Sequence, residues 1–173
     1  MADDKAGPKP LMVVLCIANT RYAIPARLVL EVLPWLPSQP VPLAPPAIHG
    51  LINYRGTVVP VIDLCRVLHD RACSCWLASR IVIVTVGLTA QRMIGLFVEA
   101  CDLLQPDTFS IQPGLRLSHA AFMGDLLADG DDIIQLFQPD ALLDDDMLEM
   151  LTSTALTSLA VEPVPGNSSH QVG

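Results

Sequence analysis

A chain of 173 residues, 51% of them apolar, can bury one sizeable core, and its size favours one compact unit or two small fused halves. Its net charge of −8 is unevenly spread: all 10 basic residues and 8 of the 18 acids lie at or before Arg116, leaving the front at +2 and the remainder at −10. With no basic stripe such a chain is repelled by phosphate backbones, which argues against nucleic acid as a partner, and its longest apolar runs, LMVVLCIA and IVIVTV, are of strand length and too short for membrane insertion.

Residues 1–9 read as a flexible leader. MADDKAGPKP has acids and prolines where a secretory signal needs a basic start and an apolar run, so a cytoplasmic setting is expected. LMVVLCIANTRYAI predicts a strand, a turn at Asn19-Thr20 and a second strand. PARLVLEVLP predicts a short helix, with Pro25 in its first turn, Leu28, Val29 and Val32 on one side and Pro34 as the stop. The six prolines between Pro34 and Pro46 forbid regular helix and predict an extended edge segment or loop wrapping a surface.

IHGLINY and TVVPVIDL then predict the two arms of a hairpin, with Gly56 able to adopt the positive φ that a tight turn demands. Pro60 suggests that the second arm lies at a sheet edge or bulge. Asp63 is placed to cap a short helical turn through His69. RIVIVTV, QRMIGLFVEAC and DLLQPDTFSI predict successive strands, and AAFMGDLLA and DIIQLF a hairpin across DGDD. PDALLDDDMLEML predicts a closing helix, and residues 152–173 a loose tail. The folded part is thus expected over 10–151, mainly β, with about ten strands and a few short helices.

Catalytic devices are missing from the pattern: there is no G-x-S-x-G elbow, no phosphate loop and no H-E-x-x-H. His49 and His119 lie on or beside apolar strands and read as packing residues. Asp144, Asp145 and Asp146 are consecutive, so on a helix they diverge and form a solvated face rather than a cation site. Cys65, His69, Cys73 and Cys75 carry the one set of metal-ligand chemistry, since zinc favours thiolate and imidazole. Their spacing is not that of a common zinc module, and in a reducing compartment the five cysteines are expected to remain free thiols, with a zinc- or thiol-dependent site as the alternative reading. A cysteine nucleophile at Cys73 or Cys75 with His69 as base would need the two side chains within hydrogen-bond reach.

Arg55 is different. It tops a tight apolar hairpin, and a planar, permanently charged fork of donors held beside an aromatic makes a good anchor for a carboxylate or carbonyl cluster on another protein. The hairpin would present Tyr54 and Arg55 together.

These segments have a family likeness. YAIP at 22–25, VLEVLP at 29–34, IHGLINYRGTVVPVIDL at 48–64, IGLFVEACDLL at 94–104 and FMGDLLADGDDIIQLFQPDALL at 122–143 resemble, in order, the CheW-like coupling proteins of bacterial chemosensory arrays. The resemblance implies two SH3-like five-stranded β-barrel subdomains packed around a common core, with a boundary near 65–80, short helices and a C-terminal helix. It implies no enzymatic activity and no cofactor. It implies an adaptor that joins the cytoplasmic tip of chemoreceptors to the regulatory domain of a CheA-type histidine kinase, cytoplasmic and recruited to membrane-associated arrays. Partner contact would rest on Arg55, Asn53, Tyr54 and Gly56, with Val32 in an apolar floor. The cysteine-rich CRVLHDRACSCWLASR and the pair Phe137-Gln138, where Leu-Asp is more usual, depart from the pattern.

Overall fold

The computed structural model describes residues 9–87, 92–114 and 122–142. The leader, His119, Asp144 to Asp146, the body of the closing helix and the tail lie outside the described residues; of that helix, a 3-10 turn over Pro139–Ala141 is described.

Eleven strands are described: β1 Met12–Ile17, β2 Thr20–Pro25, β3 Val29–Pro34, β4 Ile48–Tyr54, β5 Thr57–Asp63, β6 Arg80–Val86, β7 Arg92–Val98, β8 Ala100–Leu104, β9 Ser110–Gln112, β10 Met123–Asp129 and β11 Asp132–Phe137, with one α-helix, α1, at Leu64–His69. They form a six-stranded sheet in the order β8-β1-β2-β11-β10-β9 and a five-stranded sheet in the order β3-β6-β7-β5-β4. The mainly β, two-part architecture expected from the sequence is therefore present, with one strand more than expected in the first sheet.

Both ends of the described chain build the six-stranded sheet, and the middle builds the other. The chain crosses between sheets after β2 and again after β7. Residues 65–80, near which the family resemblance places a boundary, join β5 to β6 of the five-stranded sheet. A parallel pair, Gln135↔Tyr22 and Leu136↔Ala23, stitches β11 to β2, which lets the late strands complete a sheet begun by the first hairpin.

Strand β1 shows why the opening run is continuously apolar. Val13, Leu15 and Ile17 enter a core shared with Ile62, Val82, Leu96 and Phe97 of the five-stranded sheet. Met12 and Val14 face a second cluster with Leu104, Phe109, Leu127 and Ile134. A strand covered on both faces has no polar positions to alternate with. Each fully buried residue of this size adds roughly 1.5–3 kcal/mol relative to exposure.

Three local expectations are corrected. PARLVLEVLP forms a 3-10 turn at Ala26–Leu28 followed by strand β3, not a helix. The apolar spacing fits either element over so short a run, and β6 supplies a partner through Val32↔Val82 and Leu33↔Ile81 that favours the extended form. The first hairpin turns on Ala18 and Asn19, with φ of 51° and 62°, because Ile17 pairs with Thr20 and leaves those two as the turn. Strand β5 is internal, between β7 and β4. Pro60 is accommodated there because pairing with β7 is confined to Val61–Asp63, after the proline.

Candidate partner-docking hairpin

The β4–β5 hairpin places the Arg55 side chain. Ile52, Val59 and Val61 are buried in the shared core and anchor both arms, and Tyr54 pairs with Thr57 to leave Arg55 and Gly56 as a two-residue turn. Both have positive φ, 52° and 85°, the geometry whose twist matches the strands on either side. Gly56 adopts it without steric cost, whereas Arg55 pays for a Cβ in the left-handed region. Asn53 supports the turn: its Oδ1 accepts a hydrogen bond from the Gly56 amide at 2.8 Å.

The tip is fastened across the sheet. Strands β3 and β4 are opposite edges of the five-stranded sheet, yet Tyr54 donates its hydroxyl to Glu31 Oε2 at 2.6 Å and Arg55 Nη2 donates to the same oxygen at 2.8 Å. The guanidinium carbon also lies 5.3 Å from the Tyr54 ring centre, within cation–π range. The Glu31 carboxylate, accepting a hydrogen bond from the phenol, holds Tyr54 above the ordinary tyrosine range, with a further push from burial. The Arg55 side chain keeps 75% of its exposure, and Glu31 engages one nitrogen of a group that has five N–H donors.

Val32 lies on β3 beside Glu31 and is 40% exposed; Leu30, 50% exposed, is exposed with it. By strand alternation the Val32 side chain leaves β3 on the opposite face from Glu31. An apolar ridge and the carboxylate that fastens the cationic tip thus share β3 without sharing a face. Glu31 escaped the sequence reading; the signal for it was a single acid within the apolar stretch VLEVLP.

The Cys/His set does not assemble. Cys65 and Cys73 are joined by a disulfide, against the expectation of five free thiols: the capped helix α1 and the following turn bring their Cα atoms to 5.0 Å, within disulfide range. His69 Nε2 lies 3.2 Å from the Tyr22 hydroxyl, and Cys75 is an exposed thiol. The ligand-type atoms that do converge belong to Asp63, Cys65 and Cys73, all buried. Asp63 Oδ1 accepts from the Arg66 amide at 3.1 Å, which caps α1 as expected, and Asp63 Oδ2 accepts from the Cys73 amide at 3.0 Å. His49 packs against Phe97 with ring centres 4.8 Å apart, as a packing residue would.

A second polar joint, also missed from the sequence, gathers at Glu99. Its carboxylate accepts from Ala18 N at 2.9 Å and Ser74 N at 3.2 Å, and pairs with Arg71 at 3.0 Å. Burial pushes this carboxyl up, but the two backbone donors and Arg71 outweigh it and hold Glu99 below its ordinary value.

A family model described as "CheW-like domain" matches residues 11–147. The chain is 29% identical over 103 residues to "Chemotaxis protein CheW" of Rhizobium meliloti (strain 1021), covering 59% of this chain and 64% of that one, so it spans just under two thirds of that relative's length. It is 30% identical over 117 residues to "Protein FrzA" of Myxococcus xanthus, covering 61% and 73% of the two chains. The crystal structure of scaffolding protein TtCheW from Thermoanaerobacter tengcongensis superposes with a TM-score of 0.70 at 31% identity, covering 84% of this chain and 99% of that one.

Proposed function

The chain belongs to the CheW-like domain family, a family of non-enzymatic scaffolds, and from that premise we propose that it is an adaptor of a chemosensory array. In this reading it joins the cytoplasmic tip of a chemoreceptor to the regulatory domain of a CheA-type histidine kinase. It works in the cytoplasm and reaches the membrane through the receptor; among the described residues no helix is long and apolar enough to cross a bilayer.

The observation that carries the reading is the Arg55 tip: a 75% exposed guanidinium on a turn whose two arms are rooted in the core. Such a mount restricts the side chain before any partner arrives, which lowers the entropy lost on docking. Asn53 and Gly56 hold the turn, and Tyr54 supplies the ring beside the cation. An incoming carboxylate or helix-end carbonyl takes the donors that Glu31 leaves free, or displaces Glu31 from a solvent-exposed pair worth only about 0–1 kcal/mol. Val32 and Leu30 add apolar contact from the same strand.

The test is a binding measurement with a receptor signalling-tip fragment and a kinase regulatory domain. The wild-type chain is expected to bind both. Arg55→Ala is expected to weaken at least one complex by about tenfold or more, the loss of an interface anchor, while the urea midpoint stays within error. Equal binding by wild type and variant would remove Arg55 from the interface, and failure of the wild type to bind either fragment would defeat the adaptor reading.

A further inference from the structure

The connection between β5 and β6 is a strut between the two sheets. Asp63 Oδ1 and Oδ2 hold its beginning and its middle through the amides of Arg66 and Cys73. From this segment His69 reaches Tyr22 of β2. Arg71 and Ser74 meet Glu99, which also holds Ala18 of the first hairpin turn. The segment therefore touches the six-stranded sheet directly at Tyr22 and, through Glu99 at the junction of β7 and β8, reaches its first hairpin turn, while it joins two strands of the five-stranded sheet.

We propose that Cys65–Cys73 is a reversible two-electron brace on this strut, oxidised when the strut is firm and reduced when it loosens. Three observations carry this. The bond closes a short loop that contains both His69, which reaches Tyr22 of β2, and Arg71, which pairs with Glu99 at the junction of β7 and β8. Cys65 is fully buried, whereas Cys73, at 9% exposure, is a lone buried position between the exposed runs His69–Ala72 and Cys75–Ala78. Fraying of those exposed neighbours uncovers Cys73 first, from its place in the core beside the Phe97 carbonyl. Finally, Asp63 holds the amides of Arg66 and Cys73, so the segment stays attached at those two points when the sulfur–sulfur bond opens, and the loosening is confined to the loop between them.

The chemistry balances with an external dithiol as reductant. Its thiolate attacks Cys73 Sγ, the sulfur–sulfur bond breaks, and Cys65 leaves as a thiolate that takes a proton. The second thiol of the reductant then resolves the mixed disulfide and frees Cys73, so two electrons and two protons pass to the protein and the reductant ends as its own disulfide. Burial pushes the thiols of Cys16 and Cys101 up, keeping both in the protonated form that does not compete for exchange.

The full chain, purified without chelator, is equilibrated in reduced and oxidised dithiothreitol of graded ratio, quenched with acid, alkylated in denaturant and weighed, with hydrogen exchange of the native chain followed in parallel. The expected result is one two-electron transition between three alkylated thiols, Cys16, Cys75 and Cys101, and all five, with the missing pair mapped to Cys65 and Cys73. Reduction should speed amide exchange across 64–79 by about tenfold or more, the scale expected for losing a short closed loop, and change the 50–61 hairpin by less than about twofold. Cys65→Ser should exchange at the reduced rate at every ratio. Five reactive thiols throughout, a bond to Cys75 instead, identical exchange in both states, or stoichiometric zinc on the purified chain would each overturn the brace.

Discussion

The two ends of the β4–β5 hairpin are built on opposite principles. At the foot, Asp63 is 3% exposed and its carboxylate is spent on the amides of Arg66 and Cys73. Gly50 there meets the Pro-rich segment so closely that an added Cβ would lie 2.7 Å from Gln39 O. At the tip, Arg55 shares Glu31 with Tyr54 in solvent, and a Cβ on Gly56 would meet nothing within 4 Å. Buried polar contacts are costly to break because the orphaned group cannot turn to water, whereas exposed ones exchange with little loss. Stability is thus concentrated at the foot, and the tip is left free to trade its internal partner for an external one.

The comparison is most easily broken at Asp63. Asp63→Ala removes a helix cap and strands the Cys73 amide, and urea unfolding should show a loss of about 3 kcal/mol or more; a loss below about 1 kcal/mol would mean that the foot is not where stability resides. Gly50→Ala should cost about 2 kcal/mol or more, since the position combines a φ of 151° with backbone in the way, and the same titration measures it.

Glu99 sharpens the comparison through pH. Its folded carboxyl sits below the ordinary value of 4.5, so its contribution is present above that value and is lost as pH falls through the folded one. The thermal midpoint of the wild type should therefore drop more steeply on acidification below about pH 4.5 than that of Glu99→Gln; parallel curves would remove Glu99 from the joint. The smallest effect is expected at the tip, where Arg55→Ala should change unfolding free energy by less than about 1 kcal/mol, and a larger change would make Arg55 a structural residue.

Much of this was legible in the residues because it depends on neighbours in the chain. The hairpin around Arg55-Gly56, the cap at Asp63 and the strands through RIVIVTV and DIIQLF all follow from local pattern. The strand at Val29–Pro34 was not, because its six residues fit a helical spacing until β6 is set beside them. Glu31 was invisible as a site residue for a related reason: its partners lie 23 and 24 positions away and meet it only when opposite sheet edges approach. The Cys65–Cys73 pairing could not be read from spacing, since the same residues are compatible with free thiols or metal ligands until α1 orients them.

By itself, then, the order of residues determined the strands other than β3, the two-residue turn and the exposed cation upon it, because apolar alternation and backbone φ preferences act over a few neighbouring positions. Tertiary structure alone decided which strands share a sheet, that Glu31 fastens the tip, that Glu99 gathers Ala18, Arg71 and Ser74, and which cysteines meet. Those contacts join positions far apart along the chain or turned toward one another only by packing, and they form once burial of the common core has brought the two sheets together.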